Sequence, residues 1–211
     1  MPIVAPEHRP TLREELAPLP ARTRWAVLAV LGLLALALLV ALTRGASTDG
    51  TRVVVNADGF DFNLRIPDQF QRLDPGAGEL LRLERPGLDS FAVEPLELPA
   101  YRGDVGGILP IVAARELDAL KERFPEMEPV EEGKTRINQA AGYTLAFRVS
   151  RSPRQYGRLT LLPQPLPGAR TGVKLLMLST PKAGAGKARD VGTSGRLKTP
   201  YRSFRFGSEG V

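Results

Sequence analysis

The chain has no cysteine and only one histidine, His8, among its 211 residues. Without thiols there is no disulfide framework, no thiol redox centre, no Cys/His zinc site and no haem-attachment motif. A metal site built from carboxylates alone stays open. Because the one imidazole lies near the N-terminus, the C-terminal bulk of the chain has no Ser-His-Asp or Cys-His nucleophile available to it. Lysine is scarce as well: 23 of the 29 basic residues are arginine. Together with abundant Ala, Gly and Leu, this bias suggests GC-rich codons and a bacterial source. A cysteine-free exported domain suits a bacterial envelope, where a lone thiol is a liability.

What the sequence does contain, first, is a long apolar run. Trp25 to Leu42, eighteen residues, carries no charged or polar side chain. As a helix it rises about 27 Å, close to the hydrocarbon thickness of a bilayer. Backbone groups in lipid must pair within their own segment, so the run reads as a transmembrane helix over residues 25–43. Trp25, Leu28, Leu31, Leu34, Leu38 and Leu42 are its anchoring side chains, and the lipid bilayer is the first expected partner. Arg9, Arg13, Arg22 and Arg24 precede the run, whereas only Arg44 and Arg52 follow within twenty residues. The cation-rich flank stays cytoplasmic, so the expected protein is single-pass in the cell membrane, with residues from about 45 onward outside. A cleaved signal peptide competes with this reading. Its apolar region is usually shorter, however, and Arg44 interrupts the best cleavage candidate at Gly45-Ala46.

Five prolines and no periodic face mark residues 1–24 as a mostly disordered cytoplasmic tail. Residues 44–59 read as a linker with room for an edge strand, residues 60–206 as an extracytoplasmic domain, and residues 207–211 as a tail. Within the domain the pattern alternates. Phe60-Asp-Phe62-Asn-Leu64-Arg-Ile66 places every second residue on one apolar face. The same period recurs at Leu81-Arg-Leu83, Phe91-Ala-Val93, Leu96-Glu-Leu98 (after an interruption at Pro95), Tyr143 to Val149, Leu159-Thr-Leu161 and Val173 to Met177. Such alternation predicts antiparallel strands with one face exposed. A single clear helix interrupts them. Leu109, Ala113, Leu117, Leu120 and Phe124 form one stripe of 3.6-residue period, starting beside Pro110 and stopped by Pro125. A second, poorer helix is expected within 185–201, weakened by Gly192 and Gly195. The predicted class is α+β: an antiparallel β-sheet with one well-defined helix and a weaker C-terminal helix packed on it, preceded by the transmembrane helix.

Particular segments carry a family resemblance. They are Phe60 to Ile66 running into Pro67-Asp-Gln-Phe70, then Asp89-Ser-Phe91-Ala-Val93, the mid-chain helix, Gly142-Tyr143 entering a strand, and Ser203-Phe204-Arg205. From about Phe60 to Phe206 the chain resembles the PsbP-like α/β sandwich, used also by bacterial envelope proteins of the LpqN and DcrB type. Members often have Trp after the early Pro, where this chain has Phe70. Some relatives are lipoproteins, and this chain lacks the cysteine that requires. The resemblance implies an accessory or binding domain without a shared catalytic set, so it assigns no site residue.

Charge is distributed unevenly. Residues 45–150 carry 12 basic and 18 acidic side chains, whereas residues 151–211 carry 12 basic and 2 acidic. Two readings stay open. Strands from the two halves could interleave and neutralise each other. Alternatively, Lys182, Lys187, Arg189, Arg196, Lys198, Arg202 and Arg205 form an anion-binding face for anionic lipid, anionic wall polymer or an acidic partner in an envelope complex. Nucleic acid is not expected, because the domain lies outside and no aromatic-basic reader pattern is present.

Short motifs do not change this. Gly184-Ala-Gly186-Lys187-Ala188 lacks the first glycine and the Ser/Thr of a phosphate-binding loop. Ser179-Thr-Pro-Lys182 has the spacing of penicillin-binding enzymes, but neither the S-D-N nor the K-T-G partner motif accompanies it. Arg102-Gly103-Asp104 is too short to carry weight, and the glycines of 103–107 suit a mobile loop. No cofactor and no calcium loop is expected. Glu126, Glu128, Glu131 and Glu132 cluster after the helix, and Asp58 and Asp61 sit beside the first strand. These keep open a carboxylate-dependent envelope hydrolase as the alternative to a non-catalytic binding domain.

Overall fold

The structure is a computed structural model that describes residues 50–57 and 59–208, together with positions 20, 23, 25–27 and 30–33. The chain divides into two compact units, Met1–Ser47 and Thr48–Val211. In the first, positions 23, 25–27 and 30–33 are helical, and Trp25, Val30, Leu31 and Leu33 are exposed. No helix among the described residues is long and apolar enough to cross a membrane. Leu28, Leu34, Leu38 and Leu42, the rest of the expected anchor, lie outside the described residues.

The second unit is built on two sheets. Strands β1 (Thr51–Val55), β2 (Phe62–Ile66) and β10 (Arg205–Phe206) form a three-stranded sheet with β2 in the middle. The larger sheet has the order β3-β4-β5-β9-β8-β7-β6, with every neighbouring pair antiparallel. Its strands are β3 (Gln71–Leu73), β4 (Leu81–Arg85), β5 (Asp89–Glu97), β6 (Met127–Ile137), β7 (Ala140–Val149), β8 (Gln155–Pro163) and β9 (Thr171–Ser179). Between β5 and β6 runs helix α1 (Leu109–Arg123), with Pro110 in its first turn and Phe124 at its C-cap. The chain must travel from the middle of the sheet to its far edge, four strand spacings or about 19 Å. Fifteen helical residues rise about 22 Å, which suffices.

Burial on both faces distinguishes this sheet from the expected one. One face, with Phe91, Val93, Leu162, Val173, Leu175 and Met177, packs against Phe62, Leu64 and Ile66 of β2 and against Tyr201 and Phe204. The other, with Leu145, Phe147, Leu159, Leu161 and Leu176, packs against Leu109, Val112, Ala113, Leu120 and Phe124 of the helix region. The layers are therefore three: small sheet, large sheet, helix. This corrects the one-sheet, one-wet-face expectation. A strand such as Leu159-Thr160-Leu161 alternates because the buried Thr160 is satisfied by hydroxyl neighbours, not because that face meets water.

Pro95 does not interrupt β5, which runs through it paired to Val173. Strand β4 pairs only as far as Val93, so beyond that point β5 has a neighbour on one side alone, where proline is tolerated. Gly157 stands opposite Phe147 across β7 and β8, and a Cβ there would lie 2.2 Å from the ring. The long edge strand β6 is protected by charge and by a register shift between Pro129 and Glu131.

The second helix is also corrected. Residues 181–183 and 188–190 form 3-10 turns, and only Lys198–Ser203 is α-helical (α2). Gly184, Gly192 and Gly195 take left-handed φ values of 103°, 75° and 64°, which a continuous helix cannot accommodate.

Candidate functional site

Each of the seven sequence-predicted cations is exposed. Lys182 lies on the 181–183 turn, and Lys187 and Arg189 lie at the 188–190 turn. Arg196 precedes α2, Lys198 and Arg202 are on α2, and Arg205 is on β10. Arg189 reaches Glu131 of β6, with Nε 4.0 Å from the carboxylate. The other six form no ion pair among the described residues. Interleaved neutralisation occurs at Lys174, which contacts Glu94 at 3.2 Å and Glu116 at 3.1 Å, but of the seven C-terminal cations it reaches Arg189 alone among the described residues.

Not all of these cations meet. Lys182 and Arg196 come from segments that pack together: a Cβ on Gly195 would stand 3.4 Å from the Ala183 carbonyl. Arg202 instead borders a cavity of about 210 Å³ between the β6–β7 hairpin, β8 and α2. Arg205 borders a neighbouring cavity of about 220 Å³, which shares Ile137 and Asn138 with the first. Asn138 holds this corner together. It takes a left-handed φ of 51°, and its Nδ2 donates to the carbonyls of Arg202 (3.0 Å) and Phe204 (2.6 Å).

The first cavity contains two arginines that the sequence reading passed over, Arg136 and Arg158. Arg136 projects from β6 and is exposed, whereas Arg158 on β8 is only 9% exposed. Its Nη2 donates to the Arg189 carbonyl at 2.9 Å, its Nη1 lies 3.5 Å from Thr144 Oγ1, and its guanidinium sits 5.9 Å from the Tyr201 ring centroid. The Tyr201 hydroxyl is 3.3 Å from Thr160 Oγ1, which is 3.2 Å from Thr144 Oγ1. No Asp or Glu lines the cavity.

The remaining candidates resolve into structural roles. Ser179 is buried and donates to Asp89 Oδ1 at 2.6 Å, while Lys182 is exposed on the turn beyond it, so the S-x-x-K spacing builds no activated serine. Asp104 caps the 105–107 turn by accepting from the Gly106 amide, which accounts for the carboxylate of Arg102-Gly103-Asp104. Glu126, Glu128, Glu131 and Glu132 are strung along exposed β6 and its approach, Asp61 is exposed, and Asp58 lies outside the described residues. Among the described residues no three His, Cys, Asp or Glu side chains gather as a metal site. Burial, and then the nearby Glu132 carboxylate, raises the Tyr143 phenol above its ordinary pKa.

No protein-family model matches the chain, and no curated protein sequence matches it. Solved structures do. CyanoP, the cyanobacterial PsbP of Synechocystis sp. PCC 6803, is 15% identical, with a TM-score of 0.50 over 74% of this chain and 92% of that one. LpqN of Mycobacterium tuberculosis, described as involved in cell envelope biogenesis, is 10% identical, with a TM-score of 0.51 over 74% and 90%. At such identities the likeness concerns the backbone. The chain carries a PsbP-like fold.

Proposed function

We propose that this chain is a non-catalytic accessory or binding domain of a bacterial cell envelope, tethered by residues 25–43 at the outer face of the cell membrane. Its C-terminal cationic segment binds an anionic surface there. The observation that carries the reading is the row of exposed cations between Lys182 and Arg205 with so few acidic partners. A protein that kept these charges only for neutralisation would pair them, as it pairs Lys174. The PsbP-like fold and the envelope association of LpqN are consistent with an accessory role. The apolar run and its arginine flank support the tether and its orientation.

Residues 48–211 supply a direct test. Among the described residues both apolar clusters are drawn from residues 53–206, so this unit has a hydrophobic core of its own. Each basic residue near an anionic membrane contributes about 1 kcal/mol. Replacing Lys182, Arg196 and Lys198 together with Gln removes three cations that lie outside the arginine cavity. Affinity for phosphatidylglycerol vesicles in a sedimentation assay is expected to fall well over tenfold, with the melting temperature unchanged. Undiminished binding by the triple variant would reject this segment as the contact surface.

A further inference from the structure

We infer that the cavity between the β6–β7 hairpin, β8 and α2 is a binding site for a phosphate group, with Arg158 at its base and Arg136 and Arg202 around it. The inference rests on the anion-binding reading above and gives it a defined pocket. Arg158 is its main support. Guanidinium stays charged at any physiological pH. This one is nine-tenths buried, has no carboxylate within ion-pairing distance among the described residues, and its Nε has no hydrogen-bond acceptor. Its contacts are neutral: a carbonyl, a threonine hydroxyl and the Tyr201 ring face. A buried charge with no counter-charge is strongly unfavourable, and the ordinary remedy is an ion of opposite sign.

The surroundings specify which ion. Arg136 and Arg202 line the same cavity, and neither forms an ion pair among the described residues. Two of the neutral polar groups in the wall are already committed. Asn138 spends its amide protons on the Arg202 and Phe204 carbonyls, and the single Thr193 hydroxyl proton is shared between the carbonyls of Arg189 (2.8 Å) and Asp190 (3.1 Å). The charged groups in the wall are all guanidinium, whose planar N–H forks match the oxygens of phosphate. Three cations also favour the higher charge of phosphate over a single carboxylate. A volume of about 210 Å³, against about 30 Å³ for one water in the liquid, admits such a group. The Arg189 carbonyl and the Tyr201 ring fix the Arg158 guanidinium, so the base of the site is positioned before any ligand arrives.

The test is calorimetric titration of residues 48–211 with inorganic phosphate, paired with melting curves. Saturable one-to-one binding and a melting temperature that rises with phosphate are expected. Arg136→Gln with Arg202→Gln should weaken binding at least tenfold without altering the phosphate-free melting temperature, since both side chains are exposed. Arg158→Met should abolish the phosphate-dependent rise, whatever it does to the starting stability. The Lys182, Arg196, Lys198 triple variant should bind phosphate as the parent does. Absence of saturable binding, or affinity indifferent to the Arg136/Arg202 pair, overturns the site.

Vesicles distinguish the source of the group. Competition between inorganic phosphate and phosphatidylglycerol vesicles assigns the pocket to a lipid headgroup, whereas saturable phosphate binding without competition assigns it to a soluble phosphate. Both outcomes support the site. Failure of the two proposals is also separable. Vesicle binding with no phosphate binding removes the pocket and leaves the surface. Phosphate binding with no vesicle binding removes the surface and leaves the pocket.

Discussion

Replacing Leu145 with Asp should destabilise residues 48–211 by at least about 4–5 kcal/mol, the upper range for single substitutions. Leu145 is 2% exposed and sits among Phe147, Leu159 and Leu120, on the face of the large sheet that α1 covers. Losing the leucine alone costs about 2–5 kcal/mol through lost transfer energy and cavity formation. The carboxylate then adds a further penalty, because nothing in that apolar cluster can pair with it. A domain of this size is stable by about 5–15 kcal/mol, so a large part of its margin disappears. Leu145→Ala separates the two contributions, since it keeps the cavity term without the charge. Urea unfolding of both variants reads the difference directly. A Leu145→Asp midpoint equal to the parent's would mean that β7 is turned over and α1 packs elsewhere.

Asp89→Ala is the second large effect, about 3–5 kcal/mol, for a different reason. Asp89 joins the ends of β4, β5 and β9: Arg85 Nε donates to its Oδ2 at 2.9 Å with Nη2 converging on the same oxygen, and Ser179 donates to Oδ1. The Asp89 side chain is 2% exposed and that of Arg85 is 15% exposed, with the guanidinium 5.6 Å from the Phe70 ring centroid. Removing the carboxylate leaves a mostly buried cation and a buried hydroxyl without their acceptor. The penalty comes from that orphaned charge, not from the strength of the pair. The double variant Arg85→Met, Asp89→Ala should therefore recover much of the loss. A double variant at least as unstable as Asp89→Ala would assign the effect to lost packing instead.

The legible parts of the fold were those set by local periodicity. The stripe from Leu109 to Phe124 and its bounding prolines identified α1 to within a residue, because the helix buries one side, accepts Pro110 in its first turn and stops before Pro125. Alternation located most strands of the large sheet for the same reason. What periodicity cannot express is what covers the second face. The small sheet pairs Phe62 with nearby Val55 on one side but with Phe206, near the far end of the chain, on the other, and that second contact leaves no local pattern. Arg158 and Thr160 illustrate the consequence for the site. Between Tyr156 and Leu162 they have the spacing of a wet strand face, yet they are buried beneath the 188–190 turn and Tyr201. The cationic excess of residues 151–211 was legible as a sum, but its division was not. Lys182, Arg196 and Lys198 stand outside the cavity, whereas Arg158 and Arg202 line it together with Arg136 from the other half of the chain.

The central claim, that the C-terminal cations serve an anionic surface, is tested most directly by salt. Residues 48–211 are sedimented with phosphatidylglycerol and with phosphatidylcholine vesicles while ionic strength rises from 0.1 M, where the Debye length is about 10 Å, to 1 M, where it is about 3 Å. The account predicts binding to the anionic vesicles alone, fading across that series. Equal binding to both lipids, or none to either at low salt, would contradict it.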